Sequence, residues 1–383
     1  MLFSVDAHAI GRHLTGNEVY VRSLLTALAE LDTTSEFIAY ISRDGAADAL
    51  PRSVRISRVA GNPFVRLGVD LSRRLRRDRP SLVHVQYTAP LACPVPVVVS
   101  VHDVSFIERP EYFTRTRALQ LRCTVRRTIA SAARIITGSE FSRRAIARVY
   151  GLNGDNVVVV PNAAASLFRP VSPRAAATWV LNRFGIRRPF ILTVGDLQPR
   201  KNQAGLVRAF SEMVRAFPEL PHHLVLAGKE NWHGAEVQTA AAASGVPERI
   251  HFTGFVADQD LLQLYNSCEF FVFPSFYEGF GLPVLEAMAC SKAVACSNTS
   301  AMHEVADAAA LLFDPGSPTQ MARAMIDLAL DRELRARMER LGLQRAAQFS
   351  WRKTAERTLE VYQEVARSSV RERRARSAAA SLQ

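Results

Sequence analysis

The stretch CEFFVFPSFYEGFGLPVLEAMACS, Cys268–Ser291, decides the fold. It opens on EFFVFP, a short apolar run rich in aromatics and closed by proline, which reads as a strand buried on both faces. It ends on PVLEAMACS, a helical pattern in which Pro283 suits the first turn. Between them, Gly279 and Gly281 remove side chains so that another group can approach the backbone closely. A buried strand, a glycine-bearing loop and a helix make one unit of a doubly wound α/β sheet, where ligands bind at the carboxyl ends of strands. Two carboxylates, Glu278 and Glu286, stand in this apolar setting. Taken singly, Glu278 reads as a capping residue and Glu286 as an acid favoured by the helix macrodipole. Taken together after a strand, they point to a ligand. The N–H groups that open the helix add an anion-binding element.

The same rhythm extends in both directions. Strands are expected at Phe37–Ser42, Leu82–Tyr87, Val95–Asp103, Ala133–Ser139 and Asn156–Asn162 in the first half. In the second half they are expected at Phe190–Asp196, His222–Gly228, Arg249–Phe255 and Cys268–Ser275. Helical patterns such as Val19–Leu31, Thr116–Ala132 and Ser139–Gly151 separate them. Near-continuous apolar strands alternating with helices imply parallel sheets covered on both faces. The proline-bearing connector at about 164–189 divides the chain into two Rossmann-like, doubly wound domains, expected to face a central cleft. The expected boundaries are 1–168 and 169–352, with a last helix at about 353–370 packing back on the first domain. Residues 371–383, basic and then Ala/Ser-rich, are expected to be a disordered tail.

With 383 residues, 48% of them hydrophobic, the chain has the length for two or more cores. Its net charge of +12 and pI near 10 call for an anionic partner. Five scattered cysteines without a CxxC pair argue against a disulfide framework or a zinc site and fit a reducing cytoplasm. The N-terminus lacks the basic-then-apolar order of a signal peptide, and no apolar run approaches the ~20 residues of a membrane span. A cytoplasmic protein is expected, one that would sit on the inner face of a membrane rather than cross it. The absence of HExxH, GxSxG, P-loop and GxGxxG patterns argues against a metalloprotease, a serine hydrolase, a P-loop NTPase and an NAD enzyme.

Three further segments follow strands or precede helices. VGDLQPRKNQ (Val194–Gln203) delivers Arg200 and Lys201, a fork and a point charge suited to a diphosphate, before a helix that Asn202 is expected to cap. SVHDVSF (Ser100–Phe106) places His102 and Asp103 at a strand's carboxyl end, where an imidazole can meet a substrate hydroxyl. GRHLTGNEVYVRSLL (Gly11–Leu25) puts Gly16 just before a helix, where its backbone can contact a phosphate. Asp258-Gln259-Asp260 has the D-x-D form of a metal site, but it precedes LLQLYNS and reads as helix-start acids. Arginines 73, 74, 76, 77 and 79, and 115, 117, 122, 126 and 127, fit either a solvated helix face or a surface for anionic lipid. Without interleaved aromatics they do not suggest nucleic acid.

EGFGLPVLEAMA, VGDLQPRKN, SVHDVSF, ITGSEFSRRAI, VVVVPN and FSWRKTAERTLEVYQEV together resemble the retaining nucleotide-sugar glycosyltransferases of family 4, which have the GT-B fold. The resemblance runs over nearly the whole chain. It implies an acceptor-binding first domain and a donor-binding second one. Glu286 would accept ribose hydroxyls and Glu278 would contact the donor sugar. The amides of Gly279, Phe280, Gly281, Leu282, Pro283 and Val284 would serve the sugar and diphosphate. Arg200 and Lys201 would neutralise the leaving diphosphate, so that no metal or other cofactor is needed. His102 would meet the sugar near the reacting centre, Gly16 would approach the phosphates, and Phe255 and Val256 would lie by the base. Asp196 departs from the family pattern, which carries an arginine after the glycine. The favoured donor is GDP-mannose, ahead of UDP-sugars, and the acceptor is a growing glycan or lipid-linked saccharide in polysaccharide synthesis. The competing readings are a nucleotide-sugar 2-epimerase of the same architecture and a non-catalytic sugar-nucleotide-binding protein.

Overall fold

The computed structural model describes residues 1–12, 15–230 and 234–380, with the side chains of residue 15 and of 372–380 outside the description. Part of the Gly11–Leu25 segment (13 and 14) and the last three residues of the tail therefore lie outside the described residues. The chain forms two compact units, Met1–Asn162 with Ser350–Gln383, and Ala163–Phe349.

The first unit is built on a seven-stranded sheet in the order β3-β2-β1-β4-β5-β6-β7. Its strands are β1 (Leu2–Asp6), β2 (Glu36–Ile41), β3 (Arg55–Arg58), β4 (Leu82–Gln86), β5 (Val97–Ser100), β6 (Arg134–Thr137) and β7 (Val157–Val159). All neighbours pair in parallel. The valines of β5 show why such strands read as unbroken apolar runs. Val98 enters the core with Phe3, Leu24 and Tyr362, whereas Val97 and Val99 enter the opposite core with Val83, Leu75 and Val125.

The second unit has a six-stranded parallel sheet in the order β10-β9-β8-β11-β12-β13. Its strands are β8 (Phe190–Val194), β9 (His223–Ala227), β10 (Ile250–Gly254), β11 (Phe270–Phe273), β12 (Val294–Ser297) and β13 (Leu311–Phe313). In each unit the winding reverses between its first and fourth strands, β1 and β4 in one, β8 and β11 in the other. Crevices at such reversals are where open α/β sheets bind ligands.

The boundaries differ from the expected ones for a packing reason. Phe168 meets the Tyr265 ring edge-on at 5.6 Å, and Asn266 bonds both Val171 N and Arg169 O, so the segment from Ala163 belongs to the second unit. The last helix begins at Trp351, and Thr354 donates to the Pro161 carbonyl at 2.7 Å. Its Ala355, Val361, Tyr362 and Val365 join the first unit's core. The helix runs through Ala380, across the segment read as a disordered tail. Arginine and alanine dominate that segment, and these are strong helix formers once a helix is nucleated.

The ends of β8 and β9 lie close together. Gly195 N donates to Ala227 O at 2.9 Å and Gly228 N to Gly254 O at 2.9 Å. A Cβ at Gly228 would stand 2.1 Å from the Gly195 carbonyl oxygen, a backbone atom that cannot swing away. Gly228→Ala is therefore expected to destabilise the fold by about 3 kcal/mol, measured by chemical denaturation.

Candidate active site

The loop after β8 is shaped before it is charged. Gly195 has φ +151°, and a Cβ there would press at 3.3 Å on the Lys201 stem. Asn202 (φ +54°) precedes the helix Gln203–Ala216, but its side chain does not cap that helix as expected. The left-handed backbone turns the amide away, and it donates instead to Pro274 O at 3.2 Å and Pro315 O at 2.7 Å. Phe276 N donates to Arg200 O at 2.9 Å and Arg200 Nη1 donates to Tyr277 O at 2.7 Å. The loop after β8 is thus stitched to the loop after β11, across the winding reversal.

This stitching brings Glu278, Arg200 and Lys201 together. Lys201 Nζ lies 2.6 Å from Glu278 Oε1, and Arg200 Nη1 lies 2.9 Å from Oε2. Lys201 Nζ also sits 4.9 Å from the Phe273 ring centroid. Glu278 N donates to Ser300 Oγ at 3.0 Å. Burial pushes the Glu278 carboxyl up, but the Arg200 and Lys201 charges outweigh it and bring it to about 2. Burial lowers Lys201, against the pull of Glu278. Two cations therefore face one fully ionised carboxylate.

Asp196, where the resemblance leads one to expect an arginine, is an acid among cations. Burial raises its carboxyl while Lys229, Lys201 and Arg200 lower it, and Lys229 Nζ stands 3.9 Å away. Its carbonyl accepts from Gln203 Nε2 at 3.0 Å. Lys229, two residues past the end of β9, returns a cation to this corner.

Glu286 lies one turn into the helix Leu282–Ala289, where it is buried and accepts from Tyr265 OH at 3.0 Å. Burial raises it to about 7, the tyrosine hydrogen bond opposing and Asp258 adding. The expected amide run is shorter than six residues. Pro283 has no N–H, and the Val284 N–H is donated to Gly281 O at 3.0 Å, so neither offers an amide to a ligand. Gly281 (φ +95°) turns the chain into the helix, and a Cβ there would meet Met302 Cε at 2.3 Å. Phe255, 48% exposed, and Val256 follow β10, on the sheet's edge two strands from β8.

His102 belongs to the first unit. Gln86 Nε2 donates to Asn17 O at 3.2 Å, so Gln86 Oε1 is left to accept from His102 Nε2 at 3.1 Å. This fixes the Nε2–H tautomer and leaves Nδ1 as the acceptor atom. Burial lowers the imidazole to about 4, with Asp103 opposing, so it is neutral at pH 7. The Tyr20 ring packs edge-on against it at 4.7 Å. Asp103 does not pair with His102; it accepts from Ser105 N at 2.9 Å and Ser105 Oγ at 2.6 Å. Gly16 lies inside the first turn of the helix Thr15–Leu31 rather than before it, and a Cβ there would meet open space. Asp260 accepts from Trp179 Nε1 at 2.9 Å and pairs with Arg183 at 3.5 Å.

Residues 14–164 match the Glycosyltransferase Family 4 description and residues 182–345 that of Glycosyl transferases group 1. O-antigen chain mannosyltransferase B of Escherichia coli is 34% identical over 267 residues, 69% of this chain and 69% of that protein. The chain belongs to glycosyltransferase family 4. This glycosyltransferase is also 37% identical over 194 residues to the serotype-specific mannosyltransferase WbdA of Escherichia coli, a match covering 49% of this chain and 23% of that protein. Sucrose-phosphate synthase of Thermosynechococcus elongatus superposes with a TM-score of 0.77 at 18% identity, over 95% of this chain and 98% of that one. At that identity the likeness shows the GT-B fold alone.

Two expectations follow for stability. Glu278→Gln leaves Arg200 and Lys201 without their carboxylate, and should cost about 3 kcal/mol at pH 7. Because the Glu278 carboxyl is depressed, its contribution is present above ~4.5 and lost as pH falls toward 2, so the gap between variant and wild type should close on acidification. Glu286→Gln should behave oppositely. A raised carboxyl stabilises below ~4.5 and loses that contribution as pH rises through about 7. The variant should match wild type near pH 5 and exceed it at pH 8 by up to about 3 kcal/mol, read from denaturation at the two pH values.

Proposed function

We propose that this glycosyltransferase transfers mannose from GDP-mannose to a growing glycan or lipid-linked acceptor in polysaccharide synthesis, with retention of anomeric configuration and without a metal ion. The observation that carries the reading is Glu278 held between Arg200 and Lys201 at the winding reversal of the second sheet. A diphosphate entering there competes with Glu278 for two buried cations. The displaced carboxylate is then at hand to accept donor-sugar hydroxyls. As the glycosidic C–O bond breaks, its electron pair goes to the diphosphate oxygen, where Arg200 and Lys201 meet the new charge. These two charges do what a divalent cation does in other transferases. The acceptor hydroxyl forms its bond to the anomeric carbon from the face the diphosphate leaves and gives its proton to the departing diphosphate oxygen.

Glu286, primed by Tyr265, is assigned to the ribose hydroxyls, residues 279–282 to the sugar and diphosphate, Phe255 and Val256 to the base, and Gly16 to the phosphates. His102 is assigned to the reacting sugar as a neutral hydrogen-bonding group. The mannosyl donor is favoured by the mannosyltransferases among the relatives. We place the enzyme at the cytoplasmic face of a membrane. In support, Arg115, Arg117, Arg122 and Arg126 are exposed on the helix Arg115–Ser131 around Leu119, itself 62% exposed. Among the described residues no helix is long and apolar enough to cross a membrane.

The test is a thermal-shift panel of GDP, GDP-mannose, UDP and UDP-glucose in chelator, followed by nucleotide release with and without acceptor. GDP and GDP-mannose should raise the melting temperature without metal, and Lys201→Ala should reduce the GDP shift. A shift with UDP alone refutes the mannosyl donor. Nucleoside diphosphate release that ignores the acceptor refutes transfer.

A further inference from the structure

The first unit carries a charged cluster that the functional reading does not use. β1 ends at Asp6, at the winding reversal of its sheet, and Asp6 is 2% exposed. His8 Nδ1 stands 3.1 Å from Asp6 Oδ1. On the other side Arg66, 4% exposed, holds Nε 3.6 Å from Oδ2, beyond hydrogen-bond range. Arg66 Nε and Nη1 are enclosed and have no hydrogen-bond partner. Arg12 lies close enough for its charge to be felt by Arg66; its Nη2 donates to Gly61 O at 2.6 Å and its Nε is enclosed and unpartnered. The nearby Asp70 is engaged elsewhere, accepting from Ala60 N at 2.7 Å and from Arg74 Nε at 3.4 Å.

Arg66 thus has Asp6 as its one carboxylate neighbour, a second guanidinium, Arg12, adds its charge beside Arg66, and three enclosed donors have no acceptor among the described residues. Each such donor costs ~1–3 kcal/mol, and a buried charge more, so the arrangement is that of a site whose partner is missing. A water bridging the 3.6 Å gap would occupy a donor but leave one positive charge unmatched. A neutral sugar hydroxyl has the same shortcoming. Arg66 also opens a single π-helical segment, Arg66–Asp70, a backbone form found mostly where function requires it.

We propose that Arg66 and His8 beside Asp6, with Arg12 next to Arg66, form an oxyanion-binding subsite for the acceptor, which carries a phosphate group or a carboxylate there. Arg66 supplies a fork that matches either oxyanion, and Arg12 supplies the second charge. The proposal rests on the reading that the first unit receives the acceptor.

Because inorganic phosphate can also bind at the donor cations, the experiment uses the full chain carrying Arg200→Ala and Lys201→Ala. Inorganic phosphate, glycerol phosphate and glucuronate are titrated at constant ionic strength against chloride, with thermal stability as the readout. The expected result is saturable stabilisation whose apparent Kd weakens about tenfold or more on Arg66→Gln, as loss of a charge-assisted bond requires. Arg12→Gln, at a half-buried position, gives the same weakening if Arg66→Gln does not fold. A response to both phosphates assigns a phosphoryl acceptor, and a response to glucuronate alone assigns an acidic sugar. No saturable response to any probe, or one unchanged by either substitution, overturns the subsite. None of these outcomes depends on donor binding.

Discussion

The loops at the winding reversal of the second sheet depend on one carboxylate shared by two buried cations. Without Glu278, Arg200 and Lys201 would be a pair of like charges held together in an apolar corner. Without the cations, burial would push the Glu278 carboxyl up rather than down. The three groups are stable only as a set, and the set keeps one positive charge in excess. In the proposed reading, that surplus is what receives the diphosphate. Desolvation has already been met during folding, so little reorganisation is left for the moment of bond breaking.

The rest of the second unit serves to hold that set. Gly195, Gly228 and Gly281 allow backbone approaches and turns that a side chain would block. Asn202 and Arg200 tie the β8 loop to the β11 loop through carbonyl oxygens rather than through solvent-exposed contacts. The first unit repeats the logic with other residues. Its winding reversal holds Asp6 and Arg66 beside β1, and Gln86 at the end of β4 bonds His102 just after β5. Chemistry-bearing side chains cluster at the same topological place in both sheets because that is where two neighbouring loops diverge and leave a crevice.

Much of this was legible in the sequence. The two buried acids, the adjacent cations and the post-strand histidine were found because each follows a long apolar run that could only be a central strand. β1, β3, β12 and β13 were passed over. They have three to five residues each, and β1 and β3 are interrupted by Ser4, Ser57 and Arg58, so apolar periodicity has nothing to register. Tyr265 leaves no signal in the sequence, because it lies in a helical apolar stripe; only the tertiary fold brings it to Glu286. Gln86 ends a buried strand and carries no motif. Lys229 did leave a signal, a cation two residues past the end of a strand. Asn202 was misjudged because its type suits a cap while its backbone adopts a left-handed turn.

The most direct test of the account is calorimetric titration of a nucleoside diphosphate and its matching monophosphate into wild type and into the Arg200→Ala/Lys201→Ala variant. If the cations held by Glu278 are the diphosphate clamp, wild type should favour the diphosphate by tenfold or more, on the order of 1.4 kcal/mol. The variant should lose that preference while keeping its affinity for the monophosphate. A preference for the diphosphate that survives in the variant would contradict the account.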